Sequence, residues 1–157
     1  MLNITTLDFD LRYLSDEFYK EIAPNLIEVL TKVTRPYCVL LVKVKGLKFA
    51  IPLRSNLPEC NGIGIKTIEN EDNKGRFKGI DFSKAVIITD EKYLKNDRVI
   101  LKRTEELLFI KSQDRKIRRE FKKYVDTYIA QVKYKRILDA KYEFSTLKNY
   151  HKELKIE

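Results

Sequence analysis

The residues best placed to do chemistry lie in IPLRSN, positions 51–56. There a hydroxyl (Ser55), a guanidinium (Arg54) and an amide (Asn56) follow apolar residues that read as a buried strand. Strand ends hold side chains rigidly while leaving them exposed, as a preorganised site requires. By residue type alone, Ser-Asn after a strand is equally an ordinary turn. The chain has one histidine, His151, near its C-terminus in a segment that reads as a short helix. A serine–histidine triad at Ser55 and any site built on two imidazoles are therefore excluded. Cys38 and Cys60 form no pair motif, make a structural zinc site improbable and fit a reducing compartment.

Other motifs are weaker. GIGIKT at 62–67 has neither the dinucleotide-binding glycine spacing nor the lysine-hydroxyl ending of a phosphate loop, and reads as a turn. ENEDN at 69–73 reads as solvated acids, and DFD at 8–10 as a helix start. None of them supports a metal-dependent nuclease, so neither a metal nor another cofactor is expected.

Charge points to a polyanionic partner. The 157 residues carry 32 Lys and Arg against 23 Asp and Glu, a net charge of +9. Residues 1–90 hold 13 basic and 12 acidic side chains, whereas residues 91–157 hold 19 and 11. The densest run is Lys111, Arg115, Lys116, Arg118, Arg119, Lys122 and Lys123, against Asp114 and Glu120. On a helix, Ile110, Ile117, Phe121, Val125, Tyr128 and Val132 share one face, and the basic residues take the remaining arc. Such an arc is either a solvated surface or a phosphate-contacting one.

The elements that must position these residues follow from pattern. LNITT at 2–6 reads as a strand. A helix is expected from about Asp8, with Leu11, Leu14, Phe18 and Ile22 on one face and Pro24 closing it. NLIEVLTKV suggests a short second helix. Pro36 opens the clearest strand, YCVLLVKVK, which turns near Lys45-Gly46-Leu47 into LKFAIPL, with Pro52 at its end or edge. Residues 54–79 read as a long loop, AVIIT at 85–89 as a buried strand and RVIL at 98–101 as another. A helix from about Thr104 to Gln131, broken near Ser112–Asp114, and a short one capped by Ser145 complete the chain. With no membrane-length apolar run and no signal pattern at the N-terminus, the expectation is a single cytoplasmic α+β domain over 1–157.

Residues 35–56, RPYCVLLVKVKGLKFAIPLRSN, resemble the central hairpin of the endoribonuclease toxins of type III toxin–antitoxin systems, the ToxN/AbiQ/CptN group. The likeness rests on a strand, a glycine turn, a lysine plus aromatic (Lys48, Phe49) and a Pro-Leu-x-Ser exit (Pro52, Leu53, Arg54, Ser55). LNITTLDFDLRYL, IDFSKAVII, ELLFIKSQDRKI and FSTL fall in the matching order, while 57–79 matches poorly. The resemblance implies a compact antiparallel SH3-like β-barrel, similar to that of the MazF/Kid toxins, with peripheral helices. It implies metal-independent RNA cleavage by the ribose 2′-hydroxyl, leaving a 2′,3′-cyclic phosphate. It also implies inhibition by a small repetitive RNA that the toxin processes and joins in a closed alternating complex. The associated roles are phage abortive infection and plasmid or locus maintenance.

Carried residue by residue, the resemblance places the family serine on Ser55, with Arg54 where a threonine precedes it and Arg35 where a lysine opens the hairpin. A family lysine falls on Leu57 and a tyrosine near Thr31, so Lys32, Tyr37 or Lys48 takes over a role or the site is built differently. Arg54, Ser55 and Arg35 are thus the catalytic candidates. Lys32, Tyr37, Lys43, Lys45, Lys48 and Asn56 join the basic helix as RNA-binding candidates, with Tyr37, Phe49 and Phe77 as possible stacking rings and Phe49 the best core candidate. Two rival readings remain: a MazF/Kid-like toxin with a protein antitoxin, and a non-catalytic nucleic-acid-binding barrel.

Overall fold

In the computed structural model the central feature is a β-hairpin. The structure describes residues 10–31, 36–57, 62–70, 76–97, 99–101 and 104–156. Strand β2 (Cys38–Val44) and strand β3 (Leu47–Arg54) pair antiparallel from Val44↔Leu47 to Val39↔Pro52. Lys45 (φ 55°) and Gly46 (φ 77°) turn the chain. Positive φ at both central residues gives the twist that two-residue hairpins need, and glycine adopts it without strain.

Val39 to Val42 are all buried because both faces of the hairpin are covered. Leu40, Val42, Val44, Phe49 and Ile51 join one core; Val39, Leu41 and Ala50 join a second with Leu14, Phe18, Val86, Ile88, Tyr93 and Leu94.

Strand β1 (Leu11–Tyr13) pairs antiparallel with β2, so the helix expected from Asp8 is corrected at this point. The 3-4-4 spacing of Leu11, Leu14, Phe18 and Ile22 is satisfied another way. Leu11 packs from the strand on the first core, while Leu14 and Phe18 fill the second. Helical structure starts only after Ser15, whose Oγ accepts from the Phe18 N–H at 3.3 Å, and includes a π-helical turn at Phe18–Ile22. Pro24 sits in the 3₁₀ turn Ala23–Asn25 that follows. The second helix expected from Asn25 does not continue beyond that turn in the described residues, and Glu28 there has a φ of 63°. The strand expected at 2–6 lies outside the described residues.

The long loop expected over 54–79 is also corrected. It contains strand β4 (Gly64–Glu69), where GIGIKT was expected to be a turn, and the start of strand β5 (Phe77–Asp81). Pro52 does not end β3. Alternate residues of that strand face away from β2, and Lys48 there accepts from Ile88 N–H. Strand β6 (Val86–Ile87) pairs at Phe49 and Ala50, and β5 pairs at Leu53 and Arg54. Pro52 falls between the two partners, where its missing N–H leaves no ladder bond unmade.

The sheet order is β1-β2-β3-β5-β4, with β6 on β3. Among the described residues no ladder joins β4 to β1, so the sheet does not close into the expected barrel; the antiparallel α+β core is present. Residues 99–101 form no strand. Helix α1 (Thr104–Ser112) and helix α2 (Asp114–Lys133) divide where expected. Ile110, Ile117, Phe121, Val125 and Tyr128 are buried on the first core, with Phe121 5.1 Å from Phe49 and 5.3 Å from Phe82 between ring centroids. Ser145 caps the last 3₁₀ helix, Thr146–Asn149, by accepting from Leu147 N–H. Among the described residues no helix is long and apolar enough to cross a membrane.

Candidate functional site

Arg54 is the last β3 residue in register with β5, opposite Gly79. Asp81, two residues further along β5, is diagonal to it on the same face. The Arg54 Nη1 lies 2.8 Å from Asp81 Oδ2, and Asp81 is fully buried. The other carboxylate oxygen accepts from Ser83 N–H at 2.9 Å and Ser83 Oγ at 2.5 Å. Three donors thus satisfy a charge that burial would otherwise make costly, and the guanidinium is fixed at the mouth of the sheet.

The chain beyond Arg54 is held as firmly. Buried Asn70 donates from Nδ2 to the Ser55 carbonyl at 2.6 Å and to Asn56 Oδ1 at 3.1 Å. Leu57 N–H donates to the Phe77 carbonyl at 2.9 Å, and its buried side chain packs over Gly79. A Cβ at Gly79 would come within 2.7 Å of Leu57 Cδ2 and 2.8 Å of the Ile65 carbonyl, so only glycine fits without displacement. Ser55 is left exposed on a fixed backbone.

Arg54 and Ser55 open into a cleft of ≈ 520 Å³. Tyr13, Tyr37, Cys38, Lys78, Lys95, Asp97, Ile100 and Glu106 also line it. Tyr37 is set in place by its N–H donating to Tyr19 Oη at 3.0 Å and its carbonyl accepting from Leu14 N–H at 3.3 Å. Lys95 is bound through both backbone groups, to the Tyr13 carbonyl at 2.8 Å and from Arg12 Nε at 2.8 Å. Glu106 Oε2 accepts from Thr67 Oγ1 at 2.7 Å. Burial, helped by nearby Glu106, pushes the Cys38 thiol up to about 12, so it stays protonated at neutral pH and is no nucleophile. Three cations against the two carboxylates of Asp97 and Glu106, with a hydroxyl and two phenols, suit the cleft to a phosphate chain with unpaired bases. No three His, Cys, Asp or Glu side chains gather as metal ligands among the described residues.

No family model and no curated protein matches the sequence. Solved structures do. AbiQ, a lactococcal anti-phage endoribonuclease of a type III toxin–antitoxin system, superposes with a TM-score of 0.62 at 17% identity, over 87% of this chain and 89% of its own. A chain from a bacterial antiviral system regulated by a processed non-coding RNA gives 0.56 at 16% identity, over 82% and 89%. A third, from a type III system in which a non-coding RNA pseudoknot inhibits the toxin, gives 0.52 at 17%, over 76% and 78%. The chain has the AbiQ fold.

On this AbiQ-like framework, Arg54, Ser55 and Tyr37 share the cleft, with Asn56 beside it. Arg35 and Lys32 lie outside the described residues. Thr31 is exposed, and Leu57, where the resemblance leads one to look for a lysine, is a packing residue. The remaining hairpin cations lie elsewhere. Lys43 is exposed on β2, Lys45 pairs with Asp126 at 3.5 Å and Lys48 pairs with Glu91 at 2.7 Å. Phe49 is core, as expected, and Phe77 lies under Lys66.

Along α2, Arg118 pairs with Asp114, Lys122 with Asp126 and Arg119 with Glu120, while Arg115, Lys116 and Lys123 are exposed. None of them lines the cleft. Lys111 of α1 lines an adjoining depression of ≈ 510 Å³ that meets the cleft at Asp97. Sequence reasoning missed Lys78, Lys95, Asp81 and Asn70. Only Asp81 leaves a local signal, an Asp two residues before a Ser, which marks a turn.

Proposed function

We propose that the protein is a metal-independent endoribonuclease toxin of a type III toxin–antitoxin system, acting as one domain in the cytoplasm. The observation that carries this reading is the cleft itself, in a fold shared with endoribonucleases: exposed Ser55 beside an Arg54 anchored on buried Asp81. In RNA the nucleophile belongs to the substrate. The ribose 2′-oxygen attacks the adjacent phosphorus, the bond to the 5′-oxygen breaks, and a 2′,3′-cyclic phosphate remains. The proton lost from the 2′-hydroxyl is balanced by one gained at the departing 5′-oxygen.

The enzyme must orient the chain and stabilise the charge that builds on phosphorus. Arg54, and Arg35 as the resemblance implies, serve as charged donors, and Ser55 as a hydrogen-bond donor or proton relay. Tyr37 offers an unpaired base a ring on which to stack. Without an imidazole at the site the enzyme forgoes part of the ~10²–10⁴-fold that general base catalysis supplies. The natural inhibitor is a small repetitive RNA, processed by the toxin and held with it in a closed alternating assembly, in defence against phage or in maintenance of the locus.

The test is incubation of the pure protein and Ser55→Ala with a mixed RNA pool in EDTA. Cleavage to cyclic-phosphate ends by the wild type, abolished in Ser55→Ala with folding and RNA binding retained, is the expected result. Uncut RNA in the wild-type reaction, or cleavage by Ser55→Ala at the normal rate, overturns it.

A further inference from the structure

We infer that Lys78 supplies the ammonium that meets the reacting phosphate opposite Ser55, an inference that rests on the endoribonuclease reading above. Its position relative to Ser55 is fixed from both sides. Arg54 pairs with Gly79 one residue before, and Leu57 N–H bonds the Phe77 carbonyl just beyond. Between these ties Ser55 and Asn56 together face Lys78, a bulge of two residues against one, and Ser55 and Lys78 both line the cleft. Lys78 is half-buried, so its stem is held while its head reaches the cleft.

The charges around it single this residue out. Arg54 spends part of its charge on Asp81 at 2.8 Å. Lys95 comes from a different segment, tied to β1 rather than to the Ser55 turn. Among the described residues no carboxylate forms an ion pair with Lys78. An ammonium that forms no ion pair among the described residues, in the same cleft as exposed Ser55, is matched to a ligand oxygen that gains negative charge. A phosphodiester carries one negative charge and its pentacoordinate form carries two, so the contact strengthens as the 2′-oxygen adds.

The test is single-turnover and steady-state cleavage of an RNA oligonucleotide by Lys78→Met, which keeps the apolar stem, and Lys78→Arg, which keeps the charge. All proteins are assayed below their unfolding midpoints, and affinity is measured separately on the same oligonucleotide with 2′-deoxyribose at the cut site. Lys78→Met is expected to lower kcat by about 10²-fold, with KM and affinity for the deoxy analogue near wild type and most of the rate restored in Lys78→Arg. Wild-type kcat in Lys78→Met overturns the inference, as does a loss confined to KM and affinity; either leaves the endoribonuclease reading intact. A wild-type protein that cuts no RNA removes both.

Discussion

Replacing Asp81 with Asn tests how far the candidate site and the fold depend on each other. Asn is nearly isosteric and its Oδ1 still accepts from Ser83, but its amide turns a donor toward the Arg54 Nη1 that the carboxylate held at 2.8 Å. Removing one partner of a buried ion pair costs about 3–5 kcal/mol. A quarter of the Arg54 side chain meets solvent, which places the loss near the lower figure, about 3 kcal/mol. For a chain of this length that is a fall of roughly 6–12 °C in Tm. The assay is thermal unfolding of the wild type, Asp81→Asn, Arg54→Met and the double variant. Arg54→Met leaves a fully buried carboxylate with only the Ser83 donors, so the double variant should be more stable than the two single losses added together. Additivity within about 0.5 kcal/mol would show that the pair is not energetically coupled and refute the reasoning.

Two further outcomes follow from the same contacts. Asn70→Ala releases the Ser55 carbonyl and Asn56 Oδ1; it should cost about 1–2 kcal/mol in urea unfolding and lower RNA cleavage far more than RNA affinity. Unchanged cleavage would mean that the turn holds itself. Stability should also fall in alkali, because burial raises the Cys38 thiol and the Tyr150 phenol each to about 12 and raises Tyr124 and Tyr142 as well. Above their ordinary values near 9 and 10 the unfolded chain releases these protons while the folded one keeps them. Each group then removes about 1.4 kcal/mol per pH unit until its folded value is reached. Urea titrations between pH 8 and 11 measure this, and a flat profile would contradict it.

The hairpin was legible because its information is local: a turn that needs positive φ at Gly46 and a run of apolar residues on either side. The inward face of α2 was legible for the same reason, since spacings of three, four and seven leave few alternatives. Strand β1 was not, because Leu11, Leu14 and Phe18 satisfy a helical spacing while packing on two different cores. Strand β5 is short, bears a glycine and sits in polar sequence, and at β4 the alternation of Ile63, Ile65 and Thr67 is interleaved with Gly62 and Gly64, which read as turn residues. At the site, Arg54 and Ser55 could be read as a strand exit. Asp81 lies 27 residues away from Arg54 and Asn70 15 from Ser55, and only sheet register brings them together. Lys78 is invisible for that reason too: its meaning depends on which strand lies opposite.

Strand β3 has β2 along one side and β6 and β5 in succession along the other, and the cleft hangs from its last residue. Its amides should be among the slowest in the molecule to exchange with deuterium, opening only when the whole domain opens. Access to Ser55 therefore cannot be throttled by fraying or by a hinge in that strand. Anything that silences this surface has to occupy it, as a stopper does the neck of a bottle, and its departure returns the surface ready-made.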